Sequence, residues 1–282
     1  KIPPVSLGTS IGFVDSTGKY SRFNEMFNIN RESEPDAVEM SKVVPTLLPK
    51  DIDLITASRE NGMVLYGKTN QDEVQGYRYY QFAEKRGLSS WFKWKFNNPL
   101  RYHFIINDEY YILDSDNFLQ KMQLIQTDAE PSIDQDDVNY LIHLDNWTTV
   151  GSGTYDGNTN ITTFTNQSDW IDDVTSPNGD LVVVDTDSNT AREGRYAECT
   201  VINGDDFTVP GDWSGVTVNI GYLYDYQVDF PKIYTTKQAG QNTVADVTAS
   251  LVIHRLNLSL GQVGLYQTIL TRVGKDTYTD TF

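Results

Sequence analysis

From Asp53 onward the chain beats out a regular alternation of short apolar runs and tight-turn residues, and it does so twice. Apolar-rich runs at 54–57, 63–66, 76–82 and 90–96 are separated by Glu60-Asn61-Gly62, by Thr69-Asn70-Gln71-Asp72 and by Lys85-Arg86-Gly87. Asn-Gly is a strong hairpin signal because both residues tolerate the positive φ of the tight turns that match strand twist. The rhythm restarts with runs at 102–106, 110–113 and 118–125, divided by Asn107-Asp108 and Ser115-Asp116-Asn117. Asp53 and Tyr102 open the two series 49 residues apart, and their second runs, from Met63 and Tyr110, lie 47 apart. A repeat of about 40–50 residues carrying four antiparallel strands is the size of a β-propeller blade. The spacing predicts one complete blade and most of a second over 53–126, joined near Pro99. Two blades do not close a ring, so the others must come from elsewhere.

The flanking segments extend this all-β reading. The 17 Tyr, 12 Phe and 5 Trp, with abundant Thr and Val, suit pleated, half-buried surfaces better than helices. Residues 1–50 contain a short strand at 11–14, a polar stretch at 20–30 and the prolines Pro35, Pro45 and Pro49, which predict a loop-rich lead-in. The start at Lys1, without Met, reads as a processed or truncated end. Residues 51–127 are the blade region. Past Asp134-Gln135-Asp136-Asp137, read as a polar hinge, short runs recur at 140–144, 161–165, 181–184, 196–202 and 216–222. Alternating segments at 248–258 and 265–272 end the chain. Residues 128–282 are therefore expected to form a β-sandwich-like C-terminal domain, with 128–213 its acidic segment.

The charge is concentrated there. Between Asp128 and Asp212 stand 18 acidic residues and two basic ones, Arg192 and Arg195, which together supply −16 of the net −17. Counterion-release binding to nucleic acid needs clustered Lys and Arg, and the sequence has no such cluster. An acidic excess serves solubility, and it also suits a surface that must repel a polyanion. No apolar run approaches the roughly 20 residues of a membrane-spanning helix.

Signals for chemistry are absent from the sequence. His103, His143 and His254 sit singly in strand-like runs, outside any metal-binding spacing. Cys199 is the only cysteine, which excludes an internal disulfide, and its place in the strand-like run 196–202 reads as a small buried hydrophobe. There is no nucleophile elbow, dinucleotide fingerprint or phosphate loop. Asp185, Asp187 and Asn189 have the first spacings of a calcium loop, but Thr190 replaces its glycine and Tyr196 its closing glutamate, so a turn is expected. The run Trp91-Phe92-Lys93-Trp94-Lys95-Phe96 places Trp91, Lys93 and Lys95 on one strand face and Phe92, Trp94 and Phe96 on the other. Such a strand can stack bases or seal packing between blades; the second reading suits the last strand of a blade. These readings give a non-enzyme without a cofactor or metal.

Residues 11–18, followed by Ser21-Arg22-Phe23, Glu34-Pro35, Ser41-Lys42 and Leu47-Leu48-Pro49, resemble the tail tubular protein B family, the tail nozzle proteins of short-tailed bacteriophages. Ser90, Trp91 and Trp94 are similar to that family's serine–tryptophan strand, and Tyr110–Leu113 with 118–122 to its next blade. Ile220-Gly221-Tyr222 with Phe230-Pro231 is similar to its final domain. The resemblance covers 11–126 and 216–282. It implies a structural virion protein of the tail: a hexameric tube below the adaptor, in contact with tail fibres, that retains the genome and then lets double-stranded DNA through its lumen without specific binding. A carbohydrate-binding or depolymerising propeller, with exposed aromatics beside a carboxylate pair, is the alternative. An adhesive extracellular β-protein is a third reading.

Overall fold

The computed structural model describes residues 2–27, 36–82, 85–124, 132–135, 138–165, 181–187, 192–203, 206–228, 235–239, 242–246, 257, 259, 267–271 and 276–281. Among these residues the secondary structure is antiparallel strand, with no α-helix. The chain divides into two compact units, Lys1–Thr127 and Asp128–Phe282.

Unit 1 is three successive meanders. Strands β1 (Val5–Ser6), β2 (Ile11–Asp15), β3 (Arg22–Phe27) and β4 (Asp36–Glu39) pair in chain order. This corrects the loop-rich expectation for residues 1–50. The prolines do not interrupt the sheet: Pro3 and Pro4 precede β1, Pro45 and Pro49 follow β4 and the 3-10 turn Met40–Val43, and Pro35 lies outside the described residues. A proline at a strand end removes no ladder hydrogen bond. The polar stretch at 20–30 carries β3, whose residues Phe23 and Glu25 are buried; alternation, rather than mean hydropathy, marks such a strand.

Strands β5 (Leu54–Ser58), β6 (Met63–Gly67), β7 (Glu73–Phe82) and β8 (Lys85–Lys95) form the second sheet, and β9 (Leu100–Ile106), β10 (Glu109–Asp114) and β11 (Leu119–Gln123) the third. The turns fall where Gly and Asn/Asp supply positive φ: Gly62 at 56°, and Asn107 and Asp108 at 51° and 62°. One apolar cluster joins the first two sheets, with Leu7, Phe23 and Leu48 against Val64, Tyr66 and Tyr77. A second joins the second and third sheets, with Met63, Leu65 and Val74 against Leu100, Tyr110 and Ile112. The middle sheet is thus covered on both faces, which explains why all five residues of β6 are buried. The first strands of the three sheets are neighbours, β1 lying against β5 and β5 against β9.

Unit 2 begins with the hairpin β12 (Ser132–Gln135) and β13 (Val138–Leu141). The expected polar hinge is therefore partly strand; Asp136 and Asp137 lie outside the described residues. Next come β14 (Asp145–Val150), β15 (Thr154–Asp156), β16 (Ile161–Phe164), β17 (Leu181–Asp185), β18 (Tyr196–Glu198), β19 (Thr200–Asn203), β20 (Asp206–Pro210) and β21 (Val218–Tyr222). They make two four-stranded sheets, ordered β14-β21-β17-β18 and β15-β16-β20-β19. One core serves both: Val150, Leu181, Val183, Val218 and Ile220 from the first sheet meet Phe164, Phe207 and Val209 from the second. Phe164 and Phe207, directly cross-strand, stack 4.7 Å apart at 8°. Strand β17 is apolar on both faces because Val182 and Val184 turn the other way, onto Ile142 and Leu144.

The single run at 196–202 proves to be two strands of different sheets. Cys199 stands at the switch between them, its amide donating to the Leu181 carbonyl at 2.8 Å. Two hairpins follow, β22 (Thr235–Ala239) with β23 (Asn242–Asp246), and β24 (Gln267–Leu270) with β25 (Tyr278–Thr281). Most of the strand expected at 248–258 lies outside the described residues.

Candidate functional site

The aromatic strand β8 is where the sequence places its most distinctive residues, and they are used for packing. The Trp91 ring meets Tyr77 at 4.7 Å, stacks on Tyr66 at 5.9 Å and meets Phe23 of the first sheet edge-on at 6.3 Å. On the opposite face Trp94 meets Phe92 at 4.8 Å and Tyr110 of the third sheet at 5.9 Å. One strand thus grips both neighbouring sheets. The two lysines between its aromatics are occupied as well: Lys93 bridges to Glu73 at 2.8 Å and Lys95 approaches Asp72 at 3.9 Å. Exposed pairs of this kind contribute about 0–1 kcal/mol, so they neutralise these two lysines more than they stabilise the strand. A base-stacking surface with free cations is not what these residues build.

The other residues carried by the family resemblance are dispersed. Ser41 is buried, and its hydroxyl accepts the Phe23 amide at 3.0 Å, so Ser41 and Trp91 converge on Phe23. Lys42 and Ser90 are exposed and Pro49 is half-buried. Glu34 and Pro35 lie outside the described residues.

The histidines do not meet. His103 is buried between the second and third sheets, 2.8 Å from the Tyr110 hydroxyl. Burial lowers its pKa to about 4, against opposing effects of the Leu54 backbone and the Asp53 charge. His143 is exposed, and His254 lies outside the described residues. Cys199 packs against the sandwich core, and burial pushes its thiol well above the usual range, which makes it a poor nucleophile. Asp185 is buried, and its carboxylate accepts the Asp187 amide at 3.0 Å as a turn cap; Asn189 and Thr190 lie outside the described residues. Among the described residues no three His, Cys, Asp or Glu side chains are placed to hold a metal ion.

Two arrangements escaped the sequence reading. Asp114, buried at the end of β10, accepts the amides of Asp116 and Phe118 at 3.0 and 2.9 Å through one oxygen. Through the other it accepts Asn98 and Gln120 side chains at 3.3 and 3.2 Å. An Asp opening a turn was the available signal. The second lies in the acidic segment, where both basic residues converge on one turn. Arg195 spreads over the Trp213 ring at 4.4 Å and donates to the Asp212 carbonyl at 3.1 Å. Arg192 donates to the same carbonyl at 2.5 Å and lies 3.9 Å from the Asp212 carboxylate. The Ser214 hydroxyl and amide, helped by the two arginines, hold that carboxylate below its usual range.

A family model described as bacteriophage nozzle protein matches residues 1–282, the whole chain. The chain belongs to the bacteriophage nozzle protein family. The chain is therefore a structural protein of the phage tail, and its place is the virion. The match takes in residues 127–215, which the resemblance read from sequence had left out. No curated protein matches the chain. Among the described residues, no helix is long and apolar enough to cross a membrane.

Proposed function

We propose that copies of this chain close into a ring, a hexamer as the family resemblance implies, around a channel that conducts double-stranded DNA without binding it. The ring sits below an adaptor and touches tail fibres, retaining the genome before infection and passing it afterwards. The role asks for no catalytic residue, cofactor or metal. Unit 1 supplies consecutive blades of a propeller, a reading supported by the neighbouring first strands β1, β5 and β9.

The observation that carries the conduit reading is the state of Arg192 and Arg195. They are the only basic residues between Asp128 and Asp212, and both are engaged on the 212–213 turn. That stretch therefore offers a phosphate backbone many carboxylates and no uncommitted guanidinium. Each cation–phosphate contact would add salt-dependent affinity and, along a moving duplex, friction. Electron microscopy of the purified protein is expected to show rings with an open axis. Fluorescence anisotropy with a labelled duplex at low salt is expected to show no binding. Saturable binding that weakens steeply with salt would sink the conduit reading.

A further inference from the structure

A basic side chain is sealed into the seam between the second and third sheets of unit 1. His103, on the inner face of β9, is 2% exposed. Its Nδ1 lies 2.8 Å from the hydroxyl of Tyr110, which is itself fully buried. Its Nε2 is buried too, with no well-formed hydrogen bond among the described residues. On that side the ring rests against Gly67 of β6, where a Cβ would come within 3.3 Å of Cε1 and 3.6 Å of Nε2. A glycine there gives the ring no side chain to bond. The core of the seam is apolar: Leu65, Val74, Leu100 and Ile112, with the rings of Phe92 and Trp94. Burial outweighs the Leu54 backbone and the Asp53 charge, which favour the imidazolium, and keeps the ring neutral near pH 7.

We infer that His103 makes this seam an acid-operated joint: when the imidazole takes up a proton, the third sheet parts from the second while the seam between the first and second sheets stays shut. Protonation adds a charge and an N–H donor at a place that offers no acceptor. A buried charge without a partner is far costlier than a buried neutral polar group. Water can relieve it only where the two sheets separate. The hydrogen bonds that tie the third sheet to the second do not forbid this. The Ser58 hydroxyl and the Asn61 side-chain amide donate to Asp108 at 2.7 and 3.1 Å, and the Ile105 amide donates to the Thr56 hydroxyl at 3.1 Å. All three are half-buried, where water can take their place.

Two comparisons place the response at this seam. First, the other titratable groups around the ring do not rescue its charge. Asp53, ahead of β5, accepts the Thr69 amide at 2.8 Å and does not offset burial. Asp108 is bonded to Ser58 and Asn61, Asp114 is spent on its own turn, and burial holds the Tyr110 hydroxyl protonated. Second, acid acts on the first seam in the opposite sense. Phe23, Tyr66, Tyr77 and Trp91 meet there, and none of these rings takes up a proton below pH 7. Glu25, buried on the same face of β3 as Phe23, accepts the Ser10 hydroxyl. A proton removes the charge of Glu25, whereas a proton on His103 creates one. The third sheet is the last of unit 1 in chain order, before Asp128 opens unit 2. The joint therefore lies at the end of unit 1 that leads into the acidic block.

The test uses the whole chain and follows hydrogen exchange by mass spectrometry at pH 7 and pH 4.5, corrected for the intrinsic effect of pH on exchange. Protection of β9 and β10 is expected to fall on the order of fiftyfold, the proton-binding difference over that range between a pKa of 6.5 and one of about 4. Protection of β2 and β3 is expected to hold, because opening the first seam does not expose the ring. In His103→Gln, which keeps a polar side chain that takes up no proton, the fall in the third sheet should vanish. Equal falls in all three sheets would show the proton acting through global unfolding and would overturn the joint. So would a third-sheet fall that persists in His103→Gln, or no fall at all. If His103→Gln does not fold, the comparison of sheets in the wild-type chain decides by itself.

Discussion

Phe92 lies across Gly76 on the neighbouring strand, its Cζ 2.1 Å from the point where a Cβ on that glycine would sit. Non-bonded contacts of a Cβ under 3.0 Å are essentially never seen, so a side chain at 76 would force the Phe92 ring to shift. Glycine at 76 lets the Phe92 ring lie flat between the middle and third sheets, in contact with Trp94.

Gly76→Ala is accordingly expected to destabilise unit 1 by about 1–3 kcal/mol, the usual cost of overpacking a filled core. Thermal unfolding measures it. Restoration of the midpoint in Gly76→Ala with Phe92→Leu would identify the clash as the cause; a neutral single variant would refute it.

Asp114→Ala removes the acceptor of two turn amides and two side-chain donors at once. The expected loss is about 1–3 kcal/mol, read by urea unfolding. Asp114→Asn keeps one carbonyl oxygen for the amides but turns an NH2 toward Asn98 and Gln120. It should fall between wild type and Asp114→Ala.

His103 makes stability depend on acid. Its folded pKa, about 4, lies below the ordinary 6.5, so the folded state favours the neutral ring. Between these values the unfolded chain binds a proton that the folded chain does not, and stability falls as pH drops from 6.5 toward 4. The full effect is on the order of 3 kcal/mol, and below pH 4 this contribution levels off. The check is the wild-type stability difference between pH 7 and pH 4.5, compared with that of His103→Gln. The variant should lose the part due to this group, and an unchanged difference would contradict the assignment.

Thr162→Val tests the 211–213 turn on which the two arginines converge. The Thr162 hydroxyl donates to the Gly211 carbonyl at 2.6 Å and accepts the Trp213 amide at 2.9 Å, fully buried. Valine keeps the volume and strands both partners, at an expected cost of about 1–3 kcal/mol. Trp213 fluorescence reports whether the indole stays buried; no change in midpoint or emission would show the bridge to be dispensable.

Much of unit 1 was legible because its information is local. Turn residues at 60–62 and 107–108 punctuate alternating runs, and period-two alternation sets Trp91 on the face opposite Trp94. Those signals depend only on backbone sterics and on side chains alternating across a strand. The sheet in residues 1–50 was missed because proline density was weighed over a segment, whereas only a proline inside a ladder breaks it. Cys199 was read as mid-strand because 196–202 is one uninterrupted strand-like run without a Gly, Pro or Asn to mark the crossing from one sheet to the other. By itself, then, the sequence determined the all-β class, the strand rhythm, the −16 charge block and the family. Which sheet covers which, the meeting of Ser41 and Trp91 on Phe23, and the capture of Arg192 and Arg195 by one turn were decided only in tertiary structure. Each joins residues far apart in the chain, and no local propensity encodes a contact whose partner is chosen by how sheets stack.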